Sequence, residues 1–213
     1  MSFGFAVFDF DMTLIDSIKP LTISANLLAK EFGLAEVKYE QVYDAEVSVK
    51  NCTFELLWSA LWGRCDPAWY PAYLDHMTEA EYRAMELFPG ARETLEELVR
   101  RGARLGLASN RDYPAKALQA LGVDGLFEAV VGQFDVANVK PAPDMILKTL
   151  ALLGARPQDA LYVCDSRGDL LAAAAAGVKT FAMSTGGHPV EELLSLGAWK
   201  AGDQLADILP CFV

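Results

Sequence analysis

The sequence predicts an α/β fold, with a doubly wound parallel sheet and a helical domain inserted after its first strand. From Pro89 onward, short apolar segments alternate with segments of helical spacing, which is the pattern of successive right-handed βαβ units. The segment before Pro89 lacks this alternation, and its patterns are helical. A length of 213 residues suits one large domain, or a core domain with a smaller insertion. We therefore predict a core formed by residues 1–16 and 87–213, and a helical insertion at residues 17–86.

The first strand is predicted at residues 4–8, which are apolar, rich in Phe and Val, and too few for a helix. Asp9 and Asp11 follow directly. Carboxylates are costly to bury unpaired, so we expect them at the strand end, facing solvent, a metal or a substrate. One carboxylate can act as a nucleophile, the other can transfer protons, and both can bind a divalent cation. A polar turn that closes the strand is the alternative from this segment alone.

The insertion is predicted to be helical at residues 21–32, 52–62 and 79–87. We expect its aromatic residues to form its own core or a dimer contact in preference to a ligand pocket. These are Trp58, Trp62, Trp69, Tyr70 and Tyr73. Lys50 lies in a polar segment before the second of these helices, where it could bind a substrate carboxylate or a second phosphate. A solvated loop that caps this helix explains Lys50 equally well.

The remaining elements follow from short apolar segments and from glycines that end helical patterns. Strands are predicted at residues 104–109, 129–134, 160–164 and 178–183, the last taken as the final strand. Helices are predicted at residues 92–101, 114–121, 143–153 and 169–176.

Polar side chains follow several of these strands, at the edge of a parallel sheet where binding sites form. The set comprises Asp9, Asp11, Thr13, Ser109, Asn110, Lys140, Asp165 and Asp169. Each has an ordinary explanation, such as a helix cap or a solvated loop charge. Their joint occurrence at successive strand ends favours a site. The set suits phosphoryl transfer, which needs a nucleophile, neutralisation of the phosphoryl oxygens and a proton for the leaving group.

The segments DFDMT, SN, KPAPD and DSRGD, in this order, resemble the four motifs of the haloacid dehalogenase superfamily. They are most similar to those of its phosphatases with a helical cap after the first motif, such as phosphoglycolate phosphatases. The resemblance spans nearly the whole chain. It implies a Rossmann-like core with an α-helical cap domain, and Mg²⁺-dependent hydrolysis of a small phosphate monoester through an aspartyl-phosphate intermediate.

Carried over residue by residue, the resemblance makes Asp9 the nucleophile, while Asp11 protonates the leaving oxygen and then activates water. It implies Mg²⁺ ligation by the Asp9 carboxylate, the Asp11 carbonyl and the Asp165 carboxylate. It gives Asp169 a supporting place in the second shell of the metal, through waters or neighbouring groups. The phosphoryl group would be held by Thr13, Ser109, the backbone N–H of Asn110, and Lys140.

Two positions depart from the family pattern, since Met12 and Cys164 stand where glycine is usual. Neither departure removes a catalytic group. Met12 could crowd the turn or contact substrate, and Cys164 is best explained as a small buried core residue.

Other activities of the same superfamily remain open at this point. A dehalogenase does not need the second carboxylate, so Asp11 argues against it. A phosphonate hydrolase would use a cap lysine, for which Lys50 is the candidate, but Asp11 again favours an ester. A phosphomutase is poorly separated from a phosphatase by sequence. A non-catalytic phosphate-binding protein is the alternative from a different class.

Net charge and cysteine content limit which classes of partner the protein could bind and in which cellular compartment it is expected. The formal net charge of −11 argues against nucleic acid and anionic membranes as partners. A small phosphorylated metabolite remains the expected partner, provided that a metal and a few local donors offset the repulsion. The four cysteines form no CxxC pair and are predicted to be free thiols. The sequence shows neither the pattern of a secretory signal nor an apolar segment long enough to span a membrane, so we expect a cytoplasmic protein. We expect it to be a monomer or a homodimer.

Overall fold

The computed structural model describes residues 2–48, 54–74 and 78–212. In these ranges six strands form one parallel sheet in the order β3-β2-β1-β4-β5-β6. The strands are β1 Phe5–Phe8, β2 Arg104–Ala108, β3 Phe127–Val131, β4 Ala160–Cys164, β5 Lys179–Met183 and β6 Lys200–Gly202. The predicted α/β class with a doubly wound parallel sheet is confirmed.

The α-helices of the described residues fall into two groups along the chain. Those of the insertion are α1 Ile18–Phe32, α2 Tyr39–Ser48, α3 Phe54–Trp62, α4 Trp69–Ala72 and α5 Thr78–Ala84. Those that alternate with the strands are α6 Ala91–Arg100, α7 Pro114–Ala120, α8 Asp144–Leu153, α9 Arg167–Ala176 and α10 Val190–Ser195.

Strand β1 lies at the centre of the sheet, between β2 and β4. Its residue Phe8 is level with Leu107 on one side and with Val163 on the other. The carboxyl ends of the three strands therefore meet at one edge. The strand order reverses at β1, so this edge is the topological switch point, where ligands bind in open α/β sheets.

Helix α8 packs unusually closely on the sheet, because β2 carries Gly106 at the contact. A Cβ on Gly106 would lie 2.5 Å from Thr149 Cγ2 and 3.0 Å from Leu153 Cδ1. Thr149 and Leu153 are both buried. The glycine thus sets the distance between the helix and the strand that carries Ser109.

Glycines end α8 and α9 as predicted. Gly154 has φ 65° and Gly177 has φ 71°, the left-handed conformation that closes a helix and that glycine adopts without a Cβ penalty. Each backbone N–H returns to carbonyls of the last helical turn.

The chain divides into two compact units, Met1–Ile15 with Leu87–Val213, and Asp16–Glu86. The second unit is helical and has aromatic side chains at its centre. Trp58 and Trp69 are buried, Trp58 stacks on Trp62 at 5.3 Å, and Trp62 meets Trp69 edge-on at 5.6 Å. These tryptophans contribute to the core of their own unit, as expected from the sequence.

The third strand was predicted at residues 129–134, but β3 is Phe127–Val131. The strand ends at Val131, and the N–H of the next residue, Gly132, donates to the Asp135 carboxylate at 2.8 Å at the start of a 3₁₀ turn. Phe134, predicted to lie in the strand, is 67% exposed in that turn.

The prediction that residues 178–183 form the final strand was wrong, because β6 pairs with β5 at the sheet edge. The three residues of β6 have no apolar run that could signal a strand. Helices α2, α4 and α10 were also not predicted. In the described part of the chain, no helix has the length and apolar character that crossing a membrane requires.

Candidate active site

The sheet edge at β1 brings together side chains that are far apart in sequence. The Asp9 N–H donates to the Val163 carbonyl at 2.8 Å, which continues the ladder between β1 and β4 by one residue. The Ser109 N–H donates in the same way to Val131 at 3.0 Å, between β2 and β3. Both residues are buried. The backbone ladder therefore fixes the predicted nucleophile and a predicted phosphate ligand at neighbouring strand ends.

Three carboxylates form the centre of the site. Asp9, Asp165 and Asp169 are buried, and each offers an oxygen atom within 4.8 Å of the others. Such a cluster of buried carboxylates is unfavourable without compensating charge. Carboxylate oxygens are the ligands that hard divalent cations prefer. The residues present therefore fit a divalent cation.

Lys140 supplies one positive charge inside this cluster. Its Nζ donates to Asp9 Oδ1, to Asp169 Oδ1 at 2.7 Å, and to the Tyr162 hydroxyl at 3.1 Å. The Tyr162 hydroxyl in turn donates to Asp169 Oδ1 at 2.7 Å. Asp169 and Tyr162 thus hold the lysine against the predicted nucleophile.

The backbone of Lys140 is held by Asn110. The Asn110 side chain accepts from the Lys140 N–H at 3.2 Å and donates to the Lys140 carbonyl at 3.3 Å. These two hydrogen bonds join the loop after β2 to the loop after β3. Asn110 therefore has a structural contact through its side chain in addition to the backbone N–H role expected from the sequence.

The pKa values in the cluster reflect burial and crowding of negative charge. Burial raises the pKa of Asp9 to about 7, against the opposing effect of Lys140. Burial, with Asp9 and Asp169 nearby, raises the pKa of Asp165 well above its ordinary range. Burial alone would also raise the pKa of Asp169, but Lys140 and the donors of Ser166 and Tyr162 lower it. At Asp169 the lysine and the neighbouring donors thus outweigh burial, whereas at Asp9 and Asp165 burial and the nearby carboxylates outweigh the groups that oppose them.

Asp165 is fixed from two sides. The Thr13 hydroxyl donates to Asp165 Oδ1 at 2.8 Å, and both side chains are buried. On the other side, a Cβ on Gly186 would lie 2.1 Å from Asp165 Oδ2, so only glycine allows this approach. Asp165 is not the N-cap of α9, which is Ser166. The Asp165 carboxylate therefore does not cap the helix and can take part in the carboxylate cluster of the site.

Met12 adopts a left-handed backbone conformation with φ 55°, which is uncommon for a residue with a side chain. The Thr185 hydroxyl donates to the Met12 carbonyl. This contact, from the loop after β5, holds the turn between Asp11 and Thr13.

Asp11 lies at the open side of the site and forms an ion pair with Arg111. Arg111 Nη2 lies 2.7 Å from Asp11 Oδ1, and Nε lies 3.1 Å from each carboxylate oxygen. The Asp11 side chain is 36% exposed, in contrast to the buried Asp9. The two aspartates therefore occupy different environments, as their different predicted roles require.

The structure thus brings together Asp9, Thr13, Lys140, Asp165 and Asp169 through direct contacts or close approach. Asp11 connects to Ser109 through Arg111, whose N–H donates to Ser109 Oγ at 3.2 Å. Lys50, the candidate substrate contact of the insertion, lies outside the described residues.

Sequence reasoning missed Tyr162, Arg111 and the segment Thr185–Gly186. Nothing in the sequence marked Tyr162 as a site residue, because it lies inside an apolar strand and looks like a core residue. Arg111 directly follows the SN motif and could have been found by reading one residue further. Extending the strand-end rule to β5 would have found the Thr-Gly pair.

Residues 6–183 match the family model of haloacid dehalogenase-like hydrolases. Phosphoglycolate phosphatase 1 of Pseudomonas aeruginosa is 31% identical over 222 residues, covering 96% of this chain and 78% of that protein. The phosphoglycolate phosphatase of Aquifex aeolicus is 32% identical over 178 residues, covering 82% of this chain and 81% of that protein.

A crystal structure described as a predicted phosphoglycolate phosphatase from Haemophilus somnus has the same fold. Its TM-score is 0.82 at 23% identity, over 99% of this chain and 98% of that one. These similarities confirm the predicted family and enzyme class, a hydrolase that resembles phosphoric monoester hydrolases. The chain belongs to the haloacid dehalogenase-like hydrolase family.

Proposed function

We propose that the protein is a Mg²⁺-dependent phosphatase that hydrolyses a small phosphate monoester through an aspartyl-phosphate intermediate. The observation that carries this proposal is the pairing of two unlike aspartates at the switch point. Asp9 is buried against Lys140, and Asp11 lies two residues on at the open side. Asp9 is thus available as the nucleophile, and Asp11, two residues later, is available as the acid/base.

The carboxylates of Asp9 and Asp165 would hold the Mg²⁺, with the Asp11 backbone carbonyl as the further ligand proposed from the resemblance. Asp169 would support them from the second shell through its contact with Lys140. When bound, Mg²⁺ would supply positive charge to the phosphoryl oxygens and to the buried carboxylates.

In the first half of the reaction, an Asp9 carboxylate oxygen attacks phosphorus. The bond between phosphorus and the ester oxygen breaks, and Asp11 gives its proton to that oxygen. In the second half, Asp11 takes a proton from water, whose oxygen attacks phosphorus and releases inorganic phosphate from Asp9. The phosphoryl oxygens would be held by the hydroxyls of Thr13 and Ser109, the N–H of Asn110 and the ammonium of Lys140.

We also propose that residues 17–86 form the cap domain and that residues 1–16 and 87–213 form the catalytic core. The helical character of the unit Asp16–Glu86 and its insertion directly after the β1 motif support this assignment. Such a cap would exclude water and select the substrate. We further propose a cytoplasmic monomer or homodimer, consistent with the free thiols of Cys65, Cys164 and Cys211.

The direct test is phosphate release from a panel of sugar, nucleotide and short-acid phosphates, with and without Mg²⁺. The panel should include 2-phosphoglycolate, since two relatives are named phosphoglycolate phosphatases. We expect turnover with Mg²⁺, loss of turnover with a chelator, and recovery when Mg²⁺ is added back. Absence of release from the whole panel would refute the proposal.

The Asp9→Asn variant should have no measurable turnover, because an amide cannot replace the carboxylate nucleophile. The matched control is Asp124→Asn, which changes an exposed aspartate at the start of a 3₁₀ turn in the core unit. Control activity should equal that of the wild type. Undiminished activity of Asp9→Asn would assign the turnover to another site or to a contaminant.

A further inference from the structure

Met12 has a strained backbone, directly after the proposed acid/base. Its φ of 55° lies in the left-handed region, and among the described residues it is the one residue other than glycine with a positive φ. This conformation is unfavourable for a residue with a side chain, because the Cβ comes too close to a carbonyl oxygen. Strain of this kind persists only where surrounding contacts enforce it, and it is concentrated at functional sites.

The Met12 carbonyl is held by a side chain from a distant part of the chain. Thr185 Oγ1 donates to it from the 3₁₀ turn Ser184–Gly186, 173 residues further along. The carbonyl of Phe10, by contrast, accepts within the local turn, from the Leu14 N–H at 2.9 Å. The local turn therefore closes on Phe10, and the contact that can enforce the conformation of Met12 comes from the loop after β5.

The 3₁₀ turn that carries this hydroxyl is itself anchored on the core unit. Ser184 Oγ donates to the Asp203 carboxylate at 2.6 Å, and the Gly187 N–H returns to the Ser184 carbonyl at 3.2 Å. The turn also lies against Asp165, because a Cβ on Gly186 would meet that carboxylate. The hydroxyl is thus presented by a segment with contacts of its own.

The neighbours of Met12 are held to different degrees. Asp9 is fixed by the backbone ladder to β4, and Thr13 is buried and donates to Asp165 at 2.8 Å. The Asp11 side chain is 36% exposed, and its partly exposed ion pair resists displacement weakly. If Met12 returned to an ordinary conformation, its φ would change by about 100° or more. Asp11 is the neighbour that such a change would displace.

We propose that Thr185 is a positioning residue for Asp11. Its hydroxyl keeps Met12 in the left-handed conformation, and this turn places the Asp11 carboxylate for proton transfer to the ester oxygen. The hydroxyl is needed because methionine does not adopt this conformation unaided, whereas glycine does. This inference rests on the proposed phosphatase function and adds to it a residue from the loop after β5.

The test is a cycle of four proteins: the wild type, Thr185→Val, Met12→Gly and the double variant. The substrate is the alkyl phosphate of the panel that the wild type hydrolyses fastest. Thr185→Val should lower kcat/KM about five- to thirty-fold, which corresponds to the strain of one left-handed residue. In the Met12→Gly background the same change should cost clearly less, because glycine keeps the turn without help. Equal losses in the two backgrounds would overturn the proposal.

A second ester separates the placement of the acid from general damage to the site. p-Nitrophenyl phosphate has a leaving group that departs without a proton, so Thr185→Val should lower its kcat/KM less than that of the alkyl phosphate. Thr185→Ser keeps a hydroxyl and should recover most of the activity on the alkyl phosphate. Equal slowing of both esters by Thr185→Val would mean that the hydroxyl does not serve proton transfer, and the proposal would be wrong.

Ser195→Ala is the matched control for the loss of a hydroxyl. Ser195 Oγ also donates to a backbone carbonyl, that of Glu192 at 2.7 Å, but it does so on the exposed surface of α10. This variant should match the wild type on both esters.

A structural measurement separates this proposal from the phosphatase function, because it does not depend on turnover. In crystal structures of the variants, φ at position 12 should become negative in Thr185→Val and stay positive in the double variant. A φ that remains near 55° in Thr185→Val overturns the role of Thr185. Failure of the wild type to release phosphate overturns the phosphatase function instead.

Discussion

At the scale of single residues, Tyr162 links Lys140 and Asp169, the two residues that lie beside the proposed nucleophile Asp9. Its hydroxyl accepts from Lys140 and donates to Asp169, and all three residues are buried. Burial, with Asp169 nearby, raises the pKa of Tyr162 well above its ordinary value, so the hydroxyl stays protonated and can donate. We therefore expect Tyr162 to position Lys140 and Asp169 without itself reacting.

The Tyr162→Phe variant should lower the free energy of unfolding by about 1–3 kcal/mol, because two buried partners lose a hydrogen bond. It should also lower kcat more than it raises KM, because Lys140 and Asp169 lose a common partner. Urea unfolding and steady-state kinetics measure the two effects. Tyr113→Phe, at a half-exposed tyrosine, is the control. Wild-type stability and kinetics in Tyr162→Phe would contradict this role.

Gly186 controls the space beside Asp165. In Gly186→Ala the new Cβ would lie 2.1 Å from Asp165 Oδ2, so the carboxylate must move. We expect the activity and the apparent affinity for Mg²⁺ to fall about ten- to a hundred-fold, as for other residues that orient metal ligands. Titration of activity with Mg²⁺ measures this.

The control for this variant is Gly125→Ala, because a Cβ at Gly125 would meet nothing within 4 Å. Its Mg²⁺ titration should match that of the wild type. An unchanged titration in Gly186→Ala would show that Asp165 tolerates displacement and that the glycine has no role in the site.

The location of the site residues was predictable because polar side chains at strand ends stand out against apolar strands. Asp9, Lys140 and Asp165 are examples. The supporting residues were not predictable in the same way. Tyr162 belongs by pattern to the buried face of β4, and only its three-dimensional contacts show that its hydroxyl serves Lys140. Asn110 was expected to act through its backbone, whereas its side-chain contacts with Lys140 depend on the loop conformation.

At the scale of secondary-structure elements, the contact between α8 and β2 depends on the absence of a side chain at Gly106. Gly106→Ala would place a Cβ 2.5 Å from Thr149 Cγ2 and must displace the helix or the strand. Overpacking of this kind costs about 1–3 kcal/mol in the free energy of unfolding. Urea unfolding should show this loss.

Gly4→Ala, just before β1, is the matched control, since a Cβ there would meet nothing within 4 Å. Its unfolding midpoint should remain close to that of the wild type. Equal midpoints for both variants would mean that the helix adjusts without cost.

Element prediction succeeded where burial was strong and failed where it was weak. Strand β4 was predicted at its observed bounds, because all five of its residues are buried and apolar. Strand β6 is three residues long and lies at the sheet edge, so it has little apolar signal. The end of β3 was misplaced because Phe134 continues the apolar pattern, although the strand has already ended before Gly132, whose N–H donates to the Asp135 carboxylate.

At the scale of the whole molecule, we expect the buried carboxylates to couple cation binding to folding, because the cluster that fits a cation forms only in the folded chain. Mg²⁺ that binds the folded chain and not the unfolded one should stabilise it by about 2.7 kcal/mol at a concentration 100 times the Kd. For a chain of this size the melting temperature should then rise by about 5–10 °C. Thermal unfolding followed by circular dichroism, with and without Mg²⁺, measures the shift.

Asp165→Asn is the informative variant for this effect, because it removes a proposed ligand while keeping the shape of the side chain. Its melting temperature should not respond to Mg²⁺. Asp124→Asn should respond like the wild type. A shift that persists in Asp165→Asn would place the stabilising cation elsewhere.

The distances along the chain between site residues have a consequence for folding kinetics. The Lys140–Asp9 contact joins residues 131 positions apart, and the Thr13–Asp165 hydrogen bond joins residues 152 positions apart. Contacts of such high sequence separation form slowly, because long loops must close first. During refolding, enzymatic activity would therefore return after most of the secondary structure has formed. Recovery of activity would then show that the core is complete, whereas circular dichroism shows only that helices and strands have formed.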